Sequence, residues 1–473
     1  MINKSFSMKH WRLGIVAVLV LTGQVSMGQK IYSLSVKQAA DLALQNVTEI
    51  KNLQIDRELQ ISKNREYIAQ AFPQLSGTVS TQHFFSIPVT LLPDFISPSV
   101  YQVLVDNGVR NGAGAPIIKP SGPPEFFPAQ FGVPWQSSAG FTFQQLLFQP
   151  DLFIAIAARK KAVDFTEANL KIMEDSIKSN VYRSYYSVKI AEKRKQYLDE
   201  SIVRLRKLKS DQEKLYKNGF AERLDIDKTQ VSLNNLMSTT NQIEKLIEIG
   251  YASLKFGLAI NQKDSLILTD SLSEEEVKKD LLELTNFQYT DRKEIQLLGV
   301  VKDLQGLDVK RNKLSYMPII ATYWNYSRNA LGQEFNLFNF EKKWFKASVW
   351  GINMSVPIFD AGQKGERIRQ AKLNLQKTKN TEENLKRAID LQINTSSIIF
   401  RNALTTLDMQ DQNLDLAQRV YAATMKKYQQ GLGSSFELLQ TETDLENAEA
   451  NFFQALYDAI TAKIAYTKAL GKL

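Results

Sequence analysis

The sequence predicts a mainly α-helical protein that also carries amphipathic β-strands and contains one unit twice. Three observations predict it. Apolar residues recur every seven positions along proline-free stretches, each half holds a pair of alternating strand-like segments, and landmarks of the first half return in order in the second.

The helical pattern is the strongest of the three. Val163, Leu170, Ile177, Ser184, Ala191, Leu198 and Leu205 stand seven residues apart, as do Phe400, Leu407, Leu414, Tyr421 and Tyr428. That spacing keeps one helix seam facing a partner over its full length. Counted from Asp151 to Tyr216, the first helix has 66 residues. At about 1.5 Å per residue it is roughly 100 Å long.

The chain has 473 residues, 44% hydrophobic and 23% charged, which is not the composition of a disordered protein. Length alone suggests about three domains, but the repeat argues for one duplicated unit. Residues 1–28 read as a secretory signal: Lys4, Lys9 and Arg12 precede the apolar run Leu13 to Leu21, and Ser26-Met27-Gly28 places cleavage before Gln29. The apolar run is short for a span of about 20 residues. Cysteine is absent, so disulfides, thiolate metal sites and a lipid-bearing cysteine are excluded. The net charge of +9 falls to +6 without the leader. This is a mild bias spread over alternating acidic and basic positions, and no nucleic-acid motif accompanies it.

Taken in order, Leu34 to Ala71 reads as one helix that stops at Phe72-Pro73. Gln74 to Ile87 alternates, with Leu75, Gly77, Val79, Thr81, His83 and Phe85 on one face. Pro88 to Pro134 holds nine of the 13 prolines and reads as a long loop. Trp135 to Phe148 alternates again, with Ala139, Phe141, Phe143 and Leu147 together. The long helix ends at Lys217-Asn218-Gly219. A return helix carrying Leu233, Thr240, Ile247 and Leu254 closes near Gly257. Residues 261–286 read as a connector, with a capped acidic helix from Ser271. The second strand pair is Met317 to Arg328 and Trp344 to Val356, with Trp324, Tyr326, Trp344 and Trp350 in or beside it. The closing helix from Ser434 carries Leu445, Phe452, Ala459 and Tyr466, and beside them Ala448, Ala455, Ala462 and Ala469.

The repeat is read from landmarks. Pro73 matches Pro318, Phe148 matches Phe359, Tyr216 and Gly219 match Tyr428 and Gly431, and Gly257 matches Gly471. The expected division is a leader (1–28), a first repeat (29–260), the connector (261–286) and a second repeat (287–473). Two strand pairs give four strands per chain, and about eight are the practical minimum for a closed barrel. A membrane barrel therefore needs several copies; a soluble helical rod with two edge hairpins is the other reading of the same pattern.

At this point the sequence resembles the TolC-type outer-membrane factors. The resemblance is carried by Tyr216-Lys217-Asn218-Gly219 and Tyr428-Gln429-Gln430-Gly431, by Val356-Pro357-Ile358-Phe359-Asp360-Ala361-Gly362, and by Tyr466 with Ala469, Leu470 and Gly471. It implies a homotrimer, with a 12-stranded β-barrel in the outer membrane continuous with a 12-helix periplasmic α-barrel. It also implies an exit duct for a tripartite efflux pump or type I secretion system. Its partners would be a periplasmic adaptor, an inner-membrane transporter and outer-membrane lipid, without nucleic acid or cofactor. The alternative is a periplasmic coiled-coil adaptor or structural rod without a pore.

The resemblance places the gated tip at Tyr216, Gly219, Asp225, Tyr428, Gly431, Gly433, Glu437 and Gln440. Glu437 and Gln440 match an acidic ring, where an aspartate is common at the second position. Asp225 and Tyr428 match positions that help hold the closed state, and Gly433 stands where an arginine can provide the partner, a departure from the family's pattern. A ring of carboxylates favours cations; an early-turn carboxylate also suits a helix dipole without any ring. The segment 88–134 reads as either a lid or a plain surface loop. An enzyme is not expected. Outside the leader the one histidine is His83, and no phosphate-binding loop, nucleophile elbow or zinc motif appears.

Overall fold

A computed structural model describes residues 30–122, 125–272, 287–335, 337–338, 341 and 343–473. The leader and most of the acidic helix expected from Ser271 lie outside the described residues. The chain divides into two compact units that cut across the sequence repeats. One takes in the N-terminal stretch through Gln60, Lys161–Asp303 and Leu375–Leu473; the other is Ile61–Lys160 with Leu304–Asn374.

The first unit is helical. Its main elements are α4 (Pro150–Lys217, which begins in the other unit), α5 (Arg223–Gly257), α7 (Gln363–Gln429, likewise) and α8 (Ser435–Ala469). Helix α4 has 68 residues and α7 has 67, as the proline-free heptads require. Phe400, Leu407 and Leu414 are buried. In α4 the track is truer at one end than at the other. Leu198 and Leu205 are buried, but farther back Val181, Tyr185 and Val188 replace Ser184 and Ala191. A straight helix drifts about 20° per heptad, and the partner changes along α4. Leu198 and Leu205 pack with Leu233, Leu236 and Leu438, whereas Tyr185 packs with Ala39, Ala43 and Leu254.

The N-terminal stretch is not one helix. Ile31–Leu34 forms strand β1, parallel to β6 (Ser265–Leu268). Helix α1 (Val36–Asn46) opens on a capping box, in which Ser35 Oγ accepts from Gln38 N and Gln38 Oε1 accepts from Ser35 N. It breaks at the extended Val47, and α2 (Thr48–Ala69) follows. The anchor is distant in sequence: the Tyr185 hydroxyl donates to Leu34 O and accepts from Asp270 N. The connector expected at 261–286 thus contains a strand in its described part.

The repeat is visible in backbone hydrogen bonds. Gly219 N donates to Tyr216 O and Phe220 N to Leu215 O; Gly431 and Leu432 do the same with Tyr428 and Lys427, 212 residues on. At the far ends, Ala259 N donates to Phe256 O and Ile260 N to Lys255 O, matching Gly471 with Lys468 and Lys472 with Thr467. Gly471 therefore corresponds to Ala259, not to Gly257. Ala259 keeps the left-handed φ of 52° without being glycine. Left-handed backbone costs a non-glycine residue about 1–2 kcal/mol. Ala259→Gly is expected to stabilise by about 1 kcal/mol and Gly219→Ala (φ 79°) to destabilise by a similar amount, checked by thermal melting.

The second unit is built on one antiparallel sheet in the order β2-β5-β7-β8. The strands are β2 (Gln74–His83), β5 (Trp135–Phe148), β7 (Ile319–Gly332) and β8 (Phe345–Ser355). A β-bulge between Leu146 and Phe148 shifts the alternation, so that Phe148, rather than Leu147, faces Ile320. The segment 88–134 is not a structureless loop. It holds β3 (Val89–Pro93) paired with β4 (Phe126–Gln130), and α3 (Ile96–Asp106) between them. Asp94 Oδ1 accepts from Ile96 N and Ser97 N at the start of α3. Pro98 is tolerated because it falls in that first turn. Helix α6 (Lys293–Leu314) leads into β7. Among the described residues no helix is long and apolar enough to cross a membrane.

Candidate functional site

The sheet has two chemically distinct faces because side chains alternate along each strand. The register lines up Leu75, Phe143, Trp324 and Trp350 in one row, and Gly77, Phe141, Tyr326 and Ser348 in the next. Ile352 and Met354 continue this apolar face along β8. The reverse face carries Ser76, Thr78, Ser80, Thr142, Asn325 and Asn353 in the same registers. Trp350 is 68% exposed. Phe141 stacks on Tyr326 at 5.1 Å and meets Trp324 edge-on at 5.4 Å. Trp324 Nε1 donates to Ser348 Oγ. An apolar, aromatic face backed by a polar one is the pattern of a membrane barrel strand.

Trp324, Tyr326 and Trp350 lie within the strands, whereas Trp344 just precedes β8, with its Nε1 buried and unpartnered among the described residues. Sequence reasoning missed the aromatic cluster at the loop end of the sheet. There His83 contacts Phe85 and Trp135, Trp135 contacts Phe335, and Phe335 contacts Phe338. Aromatic residues gather in this way where a membrane meets water. The signal was available in the flanks of the alternating strands rather than in the strands themselves.

Two close approaches explain the glycines at 140 and 351. A Cβ on Gly140 would stand 2.3 Å from Tyr326 O and 2.8 Å from Ser327 Cα, and one on Gly351 would strike the Tyr323 ring at 2.8 Å. Any side chain at Gly140 must push strand backbones apart.

In the helical unit, Tyr216 lies in the last turn of α4, and the turns after α4 and α7 carry Gly219 and Gly431, with exposed Phe220, Leu432 and Phe436 beside them. Half-buried Tyr428 packs on the cluster of Leu205, Leu208 and Leu438. Burial raises its hydroxyl pKa, and the Asp211 and Asp225 carboxylates raise it further. Gly433 lies against Tyr428: a Cβ there would be 3.2 Å from Tyr428 N. Ser434 caps α8, its Oγ accepting from Glu437 N. The Glu437 carboxylate is exposed and 3.9 Å from Lys427 Nζ. Gln440 Nε2 donates to Asp444 Oδ1.

A polar cluster that sequence reasoning did not find lies inside this unit. Arg204 of α4 donates from Nε and Nη2 to Glu442 of α8 at 3.0–3.2 Å. Its Nη2 also donates to Ser201 Oγ and lies 3.9 Å from Glu449 Oε1. Tyr421 of α7 lies under the guanidinium at 5.4 Å. The hint was two carboxylates, Glu442 and Glu449, in line with Leu438 and Leu445, where a seam should be apolar.

Residues 308–472 match the family described as outer membrane efflux protein. The chain is 24% identical over 169 residues to the alkaline protease secretion protein AprF of Pseudomonas aeruginosa, an alignment covering 36% of this chain but only 34% of AprF. It is 19% identical over 349 residues to the outer membrane protein TolC of Vibrio cholerae, covering 71% of this chain and 77% of TolC. Its fold matches the transmembrane channel CusC with a TM-score of 0.69 at 15% identity, covering 93% of this chain and 92% of CusC. Residues 308–472 thus resemble the outer membrane efflux protein family, and the fold over most of the chain is similar to that of CusC.

Proposed function

We propose that this protein is an outer-membrane exit duct, a passive homotrimeric channel serving a tripartite efflux pump or a type I secretion system. The strand unit would span the outer membrane, and the helical unit would form the large periplasmic portion. The observation that carries this reading is the sheet itself. It has one apolar aromatic face, one polar face and two outer strands, β2 and β8, free to pair with other copies. Four strands are too few to close a barrel, whereas three copies supply enough for one with a polar lumen.

The helices support the same reading. Leu224, Val231 and Ile249 of α5 and Leu391, Ile398, Met409 and Leu416 of α7 are exposed apolar residues. The 212-residue shift maps Arg204, which contacts α8 within the chain, onto exposed Leu416 of α7. A neighbouring copy would cover Leu416 and the other exposed apolar residues of α5 and α7. A periplasmic adaptor would meet the turns at Gly219 and Gly431, and an inner-membrane transporter would supply energy. The rod or adaptor reading leaves the aromatic sheet face without a role.

The test is the mass of the detergent-extracted protein from isolated outer membranes, corrected for bound detergent. A mass near three chains supports the duct; a water-soluble monomer overturns it. With the trimer in hand, Glu437→Gln is expected to lower cation selectivity in bilayer conductance, because it removes one carboxylate per chain from the tip. Unchanged selectivity would leave Glu437 as an early-turn carboxylate favoured by the helix dipole.

A further inference from the structure

We infer that the buried Arg204–Glu442–Glu449 cluster is a proton-operated coupling between α4 and α8. A proton on Glu449 tightens this seam, and its loss loosens it. Any consequence for conduction rests on the channel reading above; the coupling itself does not.

The geometry supplies one cation for two buried carboxylates. The Glu442 and Glu449 side chains are each 5% exposed, and Arg204 is 25% exposed. Glu442 takes the close, two-pronged contact. Glu449 is left with the longer one, and its Oε2 has no hydrogen-bond partner among the described residues. An ionised carboxylate in that position is poorly compensated. Protonated, it leaves Arg204 and Glu442 as a neutral pair.

The surroundings act in the same direction. Glu200 of α4 and Glu442 and Glu446 of α8 all disfavour a charge on Glu449. Tyr197 of α4 lies within the influence of the same carboxylate, and Tyr421 of α7 lies under the arginine. Helix α5 brings Leu233, Leu236 and Ile243 to the adjoining apolar cluster. Burial is the largest cause that pushes the Glu449 carboxyl up to about 7; Arg204 opposes the rise without cancelling it.

The sign follows from linkage. The folded protein holds this proton at pH values where the unfolded chain, with the ordinary value of 4.5, has lost it. The contribution to stability is therefore complete below the ordinary value and is lost as pH rises through about 7. The local seam, not the whole fold, feels this first, because helices open in parts.

Hydrogen exchange on the full-length protein in detergent tests this. Between about pH 6 and about pH 8, after correction for intrinsic exchange, protection in peptides spanning 197–208 and 438–456 is expected to fall about tenfold or more. Glu449→Gln, which mimics the protonated acid, should keep the low-pH protection at both values. His83 lies in the strand unit, and His83→Gln should leave the fall intact. Wild-type protection that does not change with pH overturns the proposal, as does a fall that survives in Glu449→Gln. Should the glutamine variant fail to fold, the wild-type series alone decides, since it must show a midpoint near 7. Exchange is read without conduction, so failure here and failure of the duct reading are separate results.

Discussion

Arg204→Leu is expected to cost the folded protein about 3–5 kcal/mol at about pH 8, the range seen when one partner of a buried ion pair is removed. Removal leaves Glu442 and Glu449 buried inside the helical unit without the guanidinium's contacts at 3.0–3.9 Å. It also deprives the Tyr421 ring of its cationic neighbour. Denaturant unfolding followed by the helical circular dichroism signal measures the loss. The combined variant Arg204→Leu, Glu442→Leu and Glu449→Leu should recover most of it, because no buried charge then remains. The loss should shrink at about pH 6, where Glu449 holds its proton. A change under about 1 kcal/mol would mean that the pair behaves like a surface ion pair.

Gly140→Val is expected to abolish assembly of the strand unit into a heat-modifiable oligomer. The added Cβ would lie 2.3 Å from a carbonyl oxygen and 2.8 Å from a Cα of β7, and neither can swing away as a side chain could. The β5–β7 ladder runs from Trp135 opposite Gly332 to Phe148 opposite Ile320, so the clash falls inside the sheet. Backbone separation there breaks ladder hydrogen bonds and the Phe141–Tyr326 stack together. Gly77→Ala is the control. Its Cβ would find Gly140 O at 3.9 Å, an ordinary contact, and the variant should assemble normally. Gel mobility with and without heating separates the two outcomes.

Much of this protein was legible in the residues themselves. The long helices follow from heptads uninterrupted by proline, and their ends from Gly219 and Gly431, whose left-handed φ values of 79° and 74° suit glycine. The sheet follows from alternation in Gln74 to Ile87, Trp135 to Phe148, Met317 to Arg328 and Trp344 to Val356, although the third strand runs on to Gly332. Such features are encoded by neighbours a few positions apart, so a single sequence displays them. The turns that close the long helices could be located by the Tyr-x-x-Gly pattern, and the structure adds that Tyr428 and Gly433 meet there.

Other features were settled only by tertiary contacts. Ile31–Leu34 became a strand because Ser265–Leu268 lies beside it, and no local periodicity reports a partner so distant. The prolines of 88–134 hid a hairpin and a helix, since proline is tolerated in a first turn and in outlying strands. The Arg204–Glu442 contact joins residues 238 apart in the chain. Local pattern determined which elements form and where they end. Long-range packing decided which faces meet, and with them which charges are buried, because burial depends on partners that the local pattern does not specify.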